Sequence, residues 1–152
     1  DLSNIGLNGI REPDLAMSFK WSNGFNDNDV QGVVYSSSGE VGDGQHGSIG
    51  LTEQRSVFIG YGPDFKENNF VTNPTGNIDI TPTIMELLGV EPNNDFDGRI
   101  VKEGLISDNR INPDIKTEIN HAKRNSRGIT YEQELEVSVL GRSVYVNDAK
   151  VF

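Results

Sequence analysis

Hydrophobic and polar positions alternate along two stretches of the chain. In "PDLAMSFKW", Leu15, Met17, Phe19 and Trp21 alternate with Ala16, Ser18 and Lys20, which predicts a strand over 13–21 with one buried face. In "TYEQELEVSVL", Tyr131, Gln133, Leu135, Val137 and Val139 fall on one face, and Glu132, Glu134 and Glu136 on the other. With "SVYVNDAKVF" beyond Gly141 and Arg142, this pattern predicts a β-hairpin over 129–152. Shorter apolar runs at 33–36 and 55–62 ("RSVFIGYG") read as strands, and "SNGFNDNDVQG" between the first two reads as loop. Helical periodicity is clearest in "TPTIMELLG". There Thr81 can cap, Pro82 suits the first helical position, Gly89 suits the left-handed C-terminal position, and Ile84, Leu87 and Leu88 make the apolar face. Residues 104–128 are polar and weakly patterned, which predicts a surface excursion with one short helix near 114–123. The sequence contains no internal repeat. The order of elements points to an α/β unit with a core-like segment over 13–103, rather than an all-β sandwich.

Composition narrows this picture. At 152 residues the chain is the size of one domain, or of a piece of a larger one. The 17 glycines and 16 asparagines favour turns and short elements, which excludes a helical bundle or coiled coil. A net charge of −10 argues against nucleic acid or an anionic membrane as partner. The absence of cysteine excludes disulfides and thiolate metal sites, and no apolar run approaches the roughly 20 residues of a membrane helix. The opening "DLSNIGLNG" has no initiator Met, as expected of a processed product or a fragment.

Most of the candidate chemistry has a plainer structural explanation. "NNDFDGRIVKEG" places Asn93, Asp95, Asp97 and Gly98 as in a calcium loop, but its twelfth position is Gly104 where a bidentate glutamate is required. An Asx-rich turn explains it better, and a solvated loop explains "NDND" at 26–29. The Glu132, Glu134 and Glu136 row reads as a wet face that discourages edge pairing. The glycine run at 42–50 lacks the "GK[ST]" of a phosphate-cradling loop, and His121 reads as a surface residue. His46, in "GDGQHGSIG", is the exception. Gly44 and Gly47 let the backbone bend and a second object approach. The position follows a strand, and Asp43 and Ser48 can orient the ring. One histidine does not hold a metal by itself, however, since a catalytic zinc takes about three protein ligands.

The ordered words "HGS" (46–48), "GPDFK" (62–66), "GNIDITPTIMELLGV" (76–90) and "DFDGR" (95–99) resemble the C-terminal portion of alkaline phosphatase superfamily hydrolases. Within that superfamily they most resemble the bacterial type I phosphodiesterase/nucleotide pyrophosphatase-like group. "REPDLAMSFKW" upstream and "YEQELEVSVLGRSVYV" downstream extend the resemblance over most of the chain. It implies an α/β fold that is the C-terminal part of an alkaline-phosphatase-like sheet-and-helix core, ending in a β-hairpin. It also implies a two-zinc phosphoric ester hydrolase in which His46 matches one metal ligand. The nucleophile and the other ligands would come from chain N-terminal to this stretch, leaving these 152 residues inactive alone. "GSIGL" departs from the family's usual form, where a "SP"-like pair follows "HGS". Asp79 and Arg99 are expected to be scaffold, Asp79 bonding backbone near the helix start and Arg99 pairing with a local carboxylate. Two other functions stay open: a non-catalytic binding module on the same scaffold, and a sulfatase or phosphonate hydrolase of the superfamily. The expected partners are a phosphate-ester small molecule in the complete enzyme and, through exposed apolar edges, the N-terminal remainder of the protein or a second copy.

Overall fold

The computed structural model describes residues 5, 9–10, 13–34, 49–91, 96–107 and 114–152. It is a mixed α/β structure with two antiparallel sheets and few helices. Strands β1 (Trp21–Phe25) and β2 (Gln31–Val34) form one sheet, and helices α1 (Leu51–Gln54) and α2 (Ile80–Leu87) follow. Strands β3 (Ile115–Ser126), β4 (Ile129–Leu140) and β5 (Ser143–Val151) form the second sheet in that order. Contacts divide the chain into two units. One comprises Asp1–Val57, Ile119–Val137 and Val146–Phe152, and the other Phe58–Glu118 and Ser138–Tyr145.

In the first unit, the turn between β1 and β2 sets which residues pair. The Asn26 side-chain oxygen accepts the amides of Asn28 and Val30, and the Asn26 amide donates to the Val30 carbonyl. Asp29 takes a left-handed φ of 57° to complete the turn. The register then pairs Trp21 with Val34, Ser22 with Val33 and Phe25 with Gln31, with an irregularity between Ser22 and Phe25. This corrects the expectation of a strand over 13–21 followed by loop. The strand begins at Trp21, where the expected one ended, because the Asn26 turn and not the apolar alternation fixes the pairing. Residues 13–20 join no strand, and most of the face expected to be buried is exposed. Leu15 and Met17 are 77% and 84% exposed, while the Ser18 hydroxyl accepts the Ile49 amide. The Trp21 indole N–H donates to the Ala149 carbonyl, tying β1 to β5.

In the second unit, α2 opens after a 3-10 turn (Asn77–Asp79) and closes as expected at Gly89, whose φ is 66°. The Gly89 amide donates to Glu86 and the Val90 amide to Met85, the two bonds of a Schellman ending. The face of α2 that turns inward differs from expectation. Pro82 and Thr83 are buried, whereas Ile84 and Leu88 are 49% and 72% exposed. The Thr83 hydroxyl accepts the Val101 amide, so a side-chain-to-backbone bond and not an aliphatic face docks the helix. Residues 55–62 carry no strand either. Ile59 and Tyr61 are 81% and 98% exposed, and no strand lies beside them among the described residues. "GPDFK" closes instead on residues 104–106 through a Phe65–Leu105 bridge, with Lys66 donating to the Gly104 carbonyl and Ile106 to that of Asp64.

The short helix expected near 114–123 does not form: β3 occupies Ile115–Ser126, and it lies at the surface as expected. Its polar pattern hid a strand because both of its faces meet solvent, leaving no apolar alternation to read. The expected hairpin is formed by β4 and β5 around Gly141, with a φ of 63°.

Gly98 sets the closest approach in the second unit, since a Cβ there would overlap the Ile78 carbonyl. Gly98→Ala is expected to lower stability by about 2 kcal/mol or more, against about 1 kcal/mol for Gly89→Ala. Urea-unfolding midpoints of the two variants check this ranking, and equal losses would refute the close approach.

Candidate functional site

The Asp79 carboxylate of the second unit is fully buried. Asp79 stands at the end of the 3-10 turn, so its side chain reaches back to the amide of Gly76, which donates to Oδ2 at 2.9 Å. The amide of Arg99 donates to Oδ1 at 2.8 Å. The Tyr145 hydroxyl lies 3.0 and 3.1 Å from Oδ1 and Oδ2. Three separated segments therefore supply the donors that a buried carboxylate requires.

A second network continues from Arg99. Its guanidinium donates to Glu103 as a fork, Nη1 to Oε2 at 2.8 Å and Nη2 to Oε1 at 2.6 Å, and Nη2 also reaches the Pro74 carbonyl. The Asn73 side-chain amide donates to the same Glu103 carboxylate, and Lys66 and Asn69 donate to the Glu103 backbone carbonyl. Burial alone would raise the Glu103 carboxyl, but its hydrogen bonds from Arg99, backbone and Asn73 outweigh that and hold it below the ordinary glutamate value. Burial opposes the charge on Arg99, and Glu103 offsets this so that Arg99 titrates above its usual value. Tyr145 is pushed up to about 12, chiefly by burial; its hydrogen bond with Ser143 opposes this, and the adjacent Asp79 charge adds to it. Ser143 itself donates to the Asp97 carbonyl.

These two networks match the scaffold role expected of Asp79 and Arg99. Asp79 bonds backbone at the start of the helix, and Glu103 is the local carboxylate of Arg99. Sequence reasoning missed Tyr145 and Asn73. Tyr145 sits in the β5 alternation and reads as an ordinary strand residue, whereas the four-residue spacing of Arg99 and Glu103 was a usable signal. The site as a whole orders backbone; its carboxylates are engaged by the donors named above.

His46 lies outside the described residues, as do Asp43, Gly44, Gly47 and Ser48. The described chain resumes at Ile49, and the carbonyl of buried Gly50 accepts the Glu53 and Gln54 amides as α1 begins. His121 is at the surface as expected, 3.6 Å from Glu134. The glutamate row is a correction to the expected wet face. Lys123 pairs with Glu132 at 3.0 Å, His121 and Lys150 approach Glu134, and Asn147 donates to Glu136, so cross-strand partners half-bury the row. The loop at 26–29 uses Asn26 for its own turn, and Glu103 of the calcium-like stretch is committed to Arg99. No group of three His, Cys, Asp or Glu side chains that could hold a metal occurs among the described residues. No helix among them is long and apolar enough to cross a membrane.

Comparison with protein-family models, with curated proteins and with solved structures finds no match.

Two titrations follow. Tyr145 keeps its proton in the folded chain up to about 12, whereas an unfolded tyrosine loses it near 10. Below pH 10 this difference adds fully to stability, and about 2–3 kcal/mol is lost as pH rises through about 12, which a late tyrosinate absorbance component absent from Tyr145→Phe checks. Glu103 acts in the opposite sense: its contribution is complete above the ordinary glutamate pKa and lost as pH falls through its lowered folded value. Asp79→Asn sets an amide N–H₂ against groups that are themselves donors. It is expected to cost about 3 kcal/mol in chemical unfolding, more than the roughly 1 kcal/mol of Tyr145→Phe.

Proposed function

We propose that this chain is part of a zinc-dependent phosphoric ester hydrolase, contributing one metal-ligating histidine, His46, and the scaffold behind it. Its fold is then the C-terminal part of an alkaline-phosphatase-like core. The supporting observation is how the motif words after the histidine are used. "GNIDITPT" and "DGR" meet through Asp79 and the Arg99 amide, and "GPDFK" closes on residues 104–106. Those words thereby read as framework, and His46 is the residue in the string whose type suits a metal.

When bound, a zinc pair polarises the phosphoryl group and lowers the pKa of the nucleophile. The chain's own contribution is positional. Gly44 and Gly47 beside His46 leave room for a second surface carrying the nucleophile and the other ligands, supplied from outside these 152 residues. On its own the chain is inactive.

Zinc titration of the isotope-labelled chain tests this, with the imidazole signals of the two histidines as readout. One weak binding event at His46, abolished by His46→Ala, is expected, together with no hydrolysis of bis-nitrophenyl phosphate. Absence of any effect at His46 would remove the metal role. Tight stoichiometric zinc binding, or hydrolysis lost in His46→Ala, would show that the site is complete within this chain.

A further inference from the structure

Residues 119–131 carry Lys123, Arg124 and Arg127 and no Asp or Glu, within a chain of net charge −10. They form the turn end of β3 and β4 within the first unit. The turn is built on Arg127 at φ 52° and Gly128 at φ 80°. A left-handed arginine is unfavourable where asparagine or glycine is the usual occupant, and here it presents a cation at the tip.

The cross-strand bonds show how the cations are distributed. Asn125 meets Thr130, Lys123 meets Glu132, and His121 meets Glu134, so 121, 123 and 125 share one face with 130, 132 and 134. That face neutralises itself. Strand alternation places Arg124 on the opposite face with Ile129 and Tyr131, which are 56% and 51% exposed. Neither Arg124 nor Arg127 has an acidic partner among the described residues. β3 is also an edge strand of its sheet, and every residue of it except Asn120 is exposed. At the opposite edge, the β5 carbonyl of Ala149 is already taken by Trp21.

We propose that the β3 edge over 119–126, with the Arg127 tip, is a docking site for an extended peptide that alternates acidic and apolar residues. The peptide adds a strand to β3. Its carboxylates fall on the face of Arg124, Ile129 and Tyr131 and pair with Arg124 and Arg127, and its apolar side chains fall on the other face, where Lys123 is already neutralised by Glu132. A second copy is the poorer occupant, because its own 119–126 segment has cations and no acid to offer. Charge complementarity therefore selects an acidic partner in an otherwise repellent, acidic protein.

The probe is the octapeptide acetyl-(Glu-Val)4-amide, titrated into the labelled chain at low and high salt, with acetyl-(Lys-Val)4-amide as control. Amide shifts confined to 119–131, weakened by salt and absent with the lysine peptide, are expected. Arg124→Glu combined with Arg127→Glu should weaken binding about tenfold or more. Both side chains are exposed, and far-UV circular dichroism verifies that the variant is folded. Should the variant unfold, Arg124→Gln with Arg127→Gln carries the same test with a smaller loss. No shifts with the glutamate peptide, equal binding of the lysine peptide, or unchanged affinity in a folded variant would each overturn the proposal. So would the same shifts produced by raising protein concentration alone, which would identify a second copy as the occupant.

Discussion

A carboxylate with no exposed surface is tolerable only when the surrounding chain gives it back the hydrogen bonds it lost with water. Asp79 is in that position, and what it requires organises the second unit. Its donors come from Gly76, Arg99 and Tyr145, two of them backbone amides that have no choice of rotamer. The Arg99 amide reaches Oδ1 because Gly98, one residue earlier, lies against the Ile78 carbonyl where any larger residue would collide. Loss of the carboxylate would leave two part-buried amides without acceptors, whereas loss of one donor leaves the others in place. The asymmetry makes Asp79, and not any single partner, the residue on which the arrangement depends.

The same reasoning explains why this unit does not look like an oil-filled domain. Its buried side chains include Asn73, Asp79, Thr83, Ser138 and Ser143 beside Val101, Leu105, Leu140 and Tyr145. Directional bonds replace aliphatic packing at the joints: Thr83 holds Val101, Ser143 holds Asp97, and Glu103 gathers Arg99, Asn73, Lys66 and Asn69. Meanwhile Ile80, Ile84 and Leu88, spaced by four on α2, point outward together. A unit held in this way keeps its shape through geometry and leaves apolar surface available for other contacts.

Those facts account for what was legible in the sequence. Gly89 was readable because a left-handed residue after a helix has a strong chemical preference. The β4–β5 hairpin was readable because one face of β4 runs through half-buried Leu135 to buried Val137. β3 was not, since a strand with two wet faces has no periodic signal to distinguish it from loop. The alternation at 15–21 was real but misleading. It marks a strand-like face, yet pairing was decided by the Asn26 turn, a local hydrogen-bonding device that hydropathy does not register. For the site, Asp79 and Arg99 were legible as scaffold from their place beside a helix start and a carboxylate. Tyr145 joins them from 66 residues away, a separation that no local pattern spans.

Framework and chemistry thus separate along the chain. The residues with the strongest motif character, Asp79 and Arg99, are engaged by intramolecular bonds, Arg99 through its amide, Nη1 and Nη2 while its buried Nε has no partner among the described residues, and groups so engaged have little left to offer a substrate. On the proposed reading, chemistry is carried by another residue, His46, flanked by glycines that add no bulk of their own. A histidine placed so becomes useful when a second surface brings the remaining ligands to it, so the specificity of such a site would reside in how the two surfaces meet. In this division of labour, directional bonds concentrate where backbone amides meet Asp79, and the proposed chemistry is left to a residue of another segment.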